Sequence, residues 1–198
     1  MGETRKTQVE RQTGETSIRL EINLDGSGTS NIDTGVGFLD HMLELFARHG
    51  QFDLTVKATG DTDVDNHHTT EDVGIVLGTA CQKALGDKKG ITRFADVRLP
   101  MQEALTQTAV DISGRSFCAY KVSFPNNRVG DFEMELVEEF FRSFAQNAGI
   151  TLHIDLVRGT NSHHISESIF KGVARALRDA VAPDSETLDE VPSTKGVI

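Results

Sequence analysis

The sequence predicts an α+β protein made of two similar halves of β-β-α-β-α type, in which strands are followed by a helix, a strand and a second helix. Some segments alternate apolar and polar residues, which is typical of half-buried strands. Between them lie segments whose apolar residues recur at helical spacing. The motif His-His-x-x-Glu occurs twice, each time at the start of the last predicted helix of a half. Matching motifs in matching contexts indicate an internal duplication. We therefore expect residues 1–90 to form the first half, 91–183 the second half and 184–198 a tail.

The pattern of the first half predicts two strands, a helix, a strand and a second helix. In chain order these are Lys6–Gln12, Ser17–Leu24, Phe38–His49, Phe52–Ala58 and His67–Leu85. Gly50 and Gly86 follow the two helices, and glycine is favoured just beyond a helix end. The second half predicts three strands, a helix, a strand and a helix, at Phe94–Leu99, Leu105–Ile112, Phe117–Phe124, Phe132–Asn147, Ile150–Leu156 and His163–Val181.

Composition narrows the class of protein. The 198 residues carry a net charge of −10, one tyrosine and no tryptophan, which argues against nucleic-acid binding. No apolar run approaches the roughly 18 residues that a membrane span needs. The only cysteines, Cys81 and Cys118, lie in apolar stretches and provide no disulfide framework. We expect a cytoplasmic protein.

The repeated motif offers metal ligands at helical spacing. Residues four apart on a helix share a face, so His67 and Glu71 can reach one ion, as can His163 and Glu167. The middle residues of the two motifs, His68 and His164, are turned about 100° away and cannot join their neighbours on that ion. Each motif therefore presents one two-ligand face and one separate imidazole.

The duplication predicts a fourth ligand for each site. His41 and Glu139 occupy equivalent positions in the first helix of each half. Pseudo-symmetry then predicts two ligand sets, His41, His68, His163 and Glu167 for one ion and His67, Glu71, Glu139 and His164 for the other. Such nitrogen and oxygen donors without thiolate suit Mn²⁺, Fe²⁺ or Zn²⁺, and we favour two Mn²⁺ ions.

Five segments resemble one known family in their order along the chain. They are Leu39–Leu43, Asp65–Asp72, Gly114–Arg115, Asn161–Glu167 and Pro192–Gly196. Together they look like imidazoleglycerol-phosphate dehydratase, an enzyme family of histidine biosynthesis. The resemblance implies two four-stranded sheets with helices packed on one side. It also implies a dimanganese site and trimers that assemble into a 24-subunit shell, with active sites formed between subunits.

The implied reaction converts D-erythro-imidazole glycerol phosphate into imidazole acetol phosphate and water. The proton to be removed has no adjacent carbonyl, so an imidazolate held by two metal ions would serve as the electron sink. We assign proton transfer to Glu167, with Glu71 and Glu15 as the other candidate catalytic carboxylates, and the resemblance places Glu15 against substrate. The substrate and phosphate contacts that the resemblance implies are Glu15, His49, Arg93, Arg115, Lys171, Ser193, Thr194 and Lys195, of which helical spacing from Glu167 independently supports Lys171. Contacts at the last three would make residues 184–198 part of the phosphate site.

Two other functions fit the same motifs. A dinuclear metallohydrolase also needs two ions and a bound hydroxide. A shell-forming protein could use its histidines only to join subunits through metal. The paired motifs alone do not distinguish these alternatives from a dehydratase.

Overall fold

Each half of the chain folds as one four-stranded sheet with two helices, as seen in a computed structural model that describes residues 5–185 and 190–198. The first half contains β1 (Lys6–Gln12), β2 (Thr16–Asn23), β3 (Ser30–Asp33), α1 (Gly37–Gly50), β4 (Asp53–Gly60) and α2 (His67–Leu85). The second half contains β5 (Phe94–Met101), β6 (Ala104–Asp111), β7 (Phe117–Lys121), β8 (Arg128–Val129), β9 (Phe132–Glu133), α3 (Glu135–Ala148), β10 (Thr151–Arg158) and α4 (Ser162–Val181).

The two sheets share one topology. The strand order is β1-β2-β4-β3 in the first and β5-β6-β10-β7 in the second. In each, the first two strands pair antiparallel, and the third lies parallel to the last strand of its half. The predicted α+β class and the internal duplication are therefore confirmed.

Two local predictions were wrong. No strand was predicted at Ser30–Asp33, which forms β3 by pairing in parallel with β4. That segment is short and mostly polar, so its extended conformation depends on the neighbouring strand. The segment beginning at Phe132 was assigned to a helix, but Phe132–Glu133 pairs with Arg128–Val129 as a small hairpin, and α3 begins at Glu135.

The end of α1 also differs from its prediction. Gly50 is the last residue of the helix, and Gln51 takes the left-handed conformation, with φ of 55°. Gly50 does not provide the left-handed residue at the helix end. A glycine is needed there because a Cβ would lie 2.4 Å from the ring of Phe52. The glycine signal thus marked the right place for a different physical reason.

The helices join the halves. Helix α2 packs on β1, β2 and β4, α4 packs on β5 and β6, and the halves meet where α1 contacts α4 and α2 contacts α3. The shared core contains large side chains that are fully buried, including Phe46, Phe140, Phe141, Phe144 and Phe170. Because α1 and α3 carry predicted ligands and contact the motif helices of the opposite half, this packing brings the ligands together. Within the described ranges, no helix has both the length and the apolar character needed to cross a membrane.

Candidate active site

One cluster of metal-competent side chains forms between α1 and α4. His41 Nε2 lies 3.1 Å from Glu167 Oε1, and His163 Nε2 lies 3.2 Å from the same oxygen. The ligand atoms of these three residues all lie within 4.8 Å of one another. The ring of Phe38 packs edge-on against His163, with centroids 5.4 Å apart. Two imidazoles and one carboxylate from opposite halves therefore face one point.

The start of α4 is set by its N-cap. The side-chain oxygen of Asn161 accepts hydrogen bonds from the backbone N–H groups of His163 and His164, at 2.9 and 3.2 Å. Asparagine is among the preferred residues at this position because its side chain satisfies otherwise unpaired N–H groups. The cap fixes where the first helical turn begins, and so which face carries His163 and Glu167.

Glu167 is held as a carboxylate. Burial raises its pKa, but hydrogen bonds from Lys171, His41 and His163 outweigh burial and lower the pKa to about 2. Lys171 Nζ donates to Glu167 Oε2 at 2.6 Å, one helical turn further along. Lys171, predicted as a phosphate contact, thus pairs with the candidate catalytic carboxylate in this structure.

A second cluster lies between α2 and α3. His67, Glu71 and Glu139 bring their ligand atoms within 4.8 Å of one another. His67 and Glu139 also line an open cavity of about 350 Å³, together with Glu138 and Arg142. This cluster has one imidazole and two carboxylates, whereas the first has two imidazoles and one carboxylate. The duplication therefore produces two related but chemically different groups.

The middle histidines of the two motifs lie apart from these clusters. Over residues 5–185 and 190–198, neither group of close ligand atoms includes His68 or His164. His68 Nδ1 lies 2.9 Å from Asp61 Oδ2 and 3.7 Å from Glu15 Oε2, and the hydrogen bond to Asp61 is the main cause that raises the pKa of His68. His164 Nδ1 lies 2.8 Å from Glu103 Oε2. A single chain thus gathers three members of each predicted ligand set.

His49 and Lys171 line a separate cavity of about 580 Å³ together with Arg98 and Arg175. Burial lowers the pKa of His49, and the nearby cations Lys171 and Arg175 lower it further. The same wall carries the carboxylates of Asp96 and Asp179, so two acidic groups partly balance the three cations.

The remaining predicted substrate contacts lie toward the C-terminal tail. Arg93 donates to Asp111 Oδ1 at 2.7 Å and to the carbonyl oxygen of Pro192 at 2.6 Å. A Cβ at Gly114 would lie 2.9 Å from the backbone of Ile198, so the chain end packs beside Arg115. Ser193, Thr194 and Lys195 follow Pro192, and Ser193 Oγ accepts from the backbone N–H of Lys195 at 3.2 Å. Residues 186–189 of the predicted tail lie outside the described residues.

Two carboxylates beside the middle histidines were not predicted from the sequence. Asp61 and Glu103 accept from the middle histidines and were not singled out, because neither belongs to a spaced motif. A signal for Glu103 existed in the duplication itself. Glu15 and Glu103 each immediately precede the second strand of their half.

The fold and the two clusters define a duplicated α+β protein with paired histidine and carboxylate groups of the kind that bind divalent metals. A family model described as imidazoleglycerol-phosphate dehydratase matches residues 34–177. The chain is 58% identical over 194 residues to proteins of that name from Azorhizobium caulinodans and Xanthobacter autotrophicus, covering 98% of this chain and of each relative. This chain belongs to the imidazoleglycerol-phosphate dehydratase family, whose members are metal-dependent lyases of histidine biosynthesis.

Solved structures agree with this assignment. The crystal structure of imidazoleglycerol-phosphate dehydratase from Staphylococcus aureus matches with a TM-score of 0.82 at 43% identity, covering 90% of this chain and 99% of that one. The enzyme from Pyrococcus furiosus in complex with (S)-C348 matches with a TM-score of 0.82 at 37% identity, covering 96% and 100%. The two four-stranded sheets with their helices are therefore the fold of the family.

Proposed function

We propose that this chain removes water from D-erythro-imidazole glycerol phosphate to form imidazole acetol phosphate, using two divalent metal ions, most suitably Mn²⁺. The observation that carries the proposal is the pair of clusters, each with three nitrogen or oxygen donors within 4.8 Å. The donor sets fit a divalent ion that accepts imidazole and carboxylate together. His41, His163 and Glu167 would hold one ion, and His67, Glu71 and Glu139 the other.

The metals would supply what the substrate lacks. Held by the two clusters, the two divalent cations would act as Lewis acids and would offset the missing carbonyl as electron sink. The chain's own residues orient the substrate and move the proton. Glu167 is an ionised carboxylate beside Lys171 in the first cluster, and we assign proton transfer to it in addition to metal coordination. Glu71 and Glu15 are the other carboxylates that we place against the reacting groups.

The phosphate would meet fixed positive charge. We place Arg93, Arg115 and Lys171 around it, with His49, Ser193, Thr194 and Lys195 as further contacts. The contact of Arg93 with the Pro192 carbonyl supports this arrangement, because it holds the tail beside a guanidinium. The planar guanidinium of Arg115 suits bidentate phosphate recognition, whereas that of Arg93 already pairs with Asp111. We therefore divide the chain into two repeat halves, residues 1–90 and 91–183, and a substrate-binding tail, residues 184–198.

The middle histidines suggest that subunits share sites. Because His68 and His164 lie outside the clusters of their own chain, we propose that a neighbouring subunit supplies each of them as the fourth ligand. Trimers assembled into a 24-subunit shell would place such neighbours together. We also propose a cytoplasmic location, which suits the free thiols of Cys81 and Cys118.

The proposal is tested with purified protein, Mn²⁺ and imidazole glycerol phosphate. The expected product is a ketone that enolises in alkali and is detected by its absorbance. Release of inorganic phosphate without ketone would instead indicate a metallohydrolase. A metal-dependent change in assembly size with neither product would indicate a protein whose metals only join subunits.

A further inference from the structure

His164 is held by a residue that lies far from it in sequence. Its Nδ1 lies 2.8 Å from Glu103 Oε2, on the turn between β5 and β6. The other oxygen, Oε1, accepts from the backbone N–H groups of Asn161 and Thr160 at 3.0 and 3.4 Å. Glu103 therefore joins the start of β6 to the loop that begins α4. Both of its oxygens are committed to this contact.

The chemistry of this contact determines the tautomer of the imidazole. An ionised carboxylate only accepts hydrogen bonds, so His164 Nδ1 carries the proton. In the neutral ring the lone pair is then on Nε2, the atom that remains available to a metal.

We propose that Glu103 is a positioning residue that fixes the orientation and tautomer of His164, so that Nε2 is presented as a metal ligand. This inference rests on the proposed function, because it requires His164 to bind metal. Carboxylates that accept from the second nitrogen of a ligating histidine orient the ring and raise its basicity. Glu103 would act through His164 without touching substrate or ion.

Comparison of the two halves supports a specific assignment to Glu103. In the first half, the residue directly after β4 is Asp61, and it accepts from His68 Nδ1 at 2.9 Å. The equivalent residue directly after β10 is Gly159. A Cβ at Gly159 would lie 2.6 Å from the Ile165 side chain, so a carboxylate cannot be placed there. The second half therefore draws its carboxylate from the β5–β6 turn.

The use of Asp61 in one half and Glu103 in the other explains why Glu15 and Glu103 differ in their contacts. Both residues immediately precede the second strand of their half. Because Asp61 holds His68, Glu15 stays 3.7 Å from that ring and its side chain is 56% exposed. Glu15 is thus free for substrate, whereas Glu103 is occupied by His164. The duplicated carboxylates have taken different roles.

The test is the variant Glu103→Gln, titrated with Mn²⁺ alone. The amide cannot satisfy both contacts. If its oxygen faces His164, its NH₂ group meets the backbone N–H groups of the α4 loop. If its NH₂ group faces His164, it meets the protonated Nδ1. The ring can escape only by moving its proton to Nε2, which blocks the metal. We expect the dissociation constant of one of the two ions to rise about 10- to 100-fold. Glu10→Gln, on the exposed face of β1, is the matched control and should bind both ions like the unmodified protein.

A double-mutant cycle with His164→Asn separates positioning from a purely structural role. If Glu103 acts through His164, adding Glu103→Gln to His164→Asn leaves the Mn²⁺ dissociation constant unchanged within about twofold. If the two substitutions instead weaken Mn²⁺ binding additively, the inference is overturned. Glu103 would then affect metal binding through its contacts to the loop before α4 and not through His164. An unchanged dissociation constant in Glu103→Gln alone would also overturn it.

A second variant protects the test against misfolding. Asp61→Ala removes the carboxylate that accepts from His68 Nδ1, and we expect it to weaken the other ion by a similar factor. If Glu103→Gln does not fold and Asp61→Ala binds both ions normally, the proposed positioning role is wrong. Failure of the unmodified protein to bind Mn²⁺ would contradict the proposed metal function itself, which is a different result from either of these.

Discussion

Two glycines on α2 allow the motif helix of the first half to contact α3 closely. A Cβ added at Gly78 would lie 2.4 Å from the Phe144 carbonyl oxygen and 2.9 Å from the Ala148 nitrogen. At Gly74 it would lie 2.7 Å from the Phe140 carbonyl oxygen. Both obstacles are backbone atoms, which cannot rotate away as a side chain can. We therefore expect Gly78→Ala to force the helices apart.

The magnitude follows from two opposing effects. Alanine in place of glycine favours a helix by about 1 kcal/mol. Ordinary contact requires about 3.5 Å, so the helices must separate by on the order of 1 Å, and overpacking of a core costs typically about 1–3 kcal/mol. Because the clash involves backbone on two residues, we take the upper part of that range. The net loss is then about 1–2 kcal/mol, or a fall in Tm of roughly 2–8 °C for a chain of this size.

The assay is thermal unfolding followed by circular dichroism at matched protein and metal concentrations. Gly37→Ala is the control, because a Cβ at Gly37, also in a helix, meets nothing within 4 Å. The control should melt at or above the temperature of the unmodified protein. A Gly78→Ala protein that is as stable as the control would refute the packing argument. We also expect weaker Mn²⁺ binding in Gly78→Ala, since α2 and α3 together carry the second ligand cluster.

Four further predictions concern the site, the assembly, the thiols and acid stability. Glu167→Gln should lower kcat by about 10²- to 10⁴-fold in the ketone assay, because it removes the proton acceptor, and near-normal kcat at full metal occupancy would contradict this role. Complete removal of metal by EDTA should dissociate the assembly into small oligomers on size exclusion, since shared ligands no longer hold subunits together, and an unchanged elution volume would disprove the shared sites. Burial raises the pKa of Cys81 to about 12 and of Cys118 to about 11, so neither should react with a thiol reagent at pH 8 until the protein is denatured, and rapid labelling of the native protein would show the thiols to be accessible. The side-chain hydrogen bond from Arg5 lowers the pKa of Asp25 below 3.8, so this pair stabilises the fold above that pH and loses its effect as pH falls through the lowered value. The unfolding free energy of Asp25→Asn should therefore fall less between pH 7 and acid than that of the unmodified protein, by about 0.2–1 kcal/mol for so exposed a pair, and an unaltered pH dependence would contradict the linkage.

The periodicity of apolar residues predicted most helices and strands that bury one face and expose the other. The helix at His67–Leu85 has the predicted bounds because Gly86 marks its end. The strand at Lys6–Gln12 also has the predicted bounds, but it was predicted from pairing with the next strand across the turn at Gly14. The strand at Ser30–Asp33 lacked a regular apolar face, and the hairpin at Phe132 depends on pairing with Arg128–Val129. Pairing between segments is a tertiary property, so local patterns do not reveal it.

The spacing of the two motifs was enough to predict which residues share a helix face. Helical geometry places His163 beside Glu167 and turns His164 away, whatever the rest of the chain does. The duplication further predicted that His41 and Glu139 would meet the motif helices, and the structure brings each of them to a cluster. These inferences need only local geometry and symmetry.

Only the tertiary structure decided what holds the remaining histidines. Glu103 is 61 residues from His164, and Gly159 leaves no space for the carboxylate that serves the other half. The contact of Glu103 with His164 depends on where the β5–β6 turn meets the start of α4. The exclusion of a carboxylate at position 159 depends on the space for a single Cβ atom. Sequence determined the ligand types and their spacing, because those follow from the chain's own helical repeat. Packing between the halves determined their partners, because close contact between distant segments has no periodic signature along the chain.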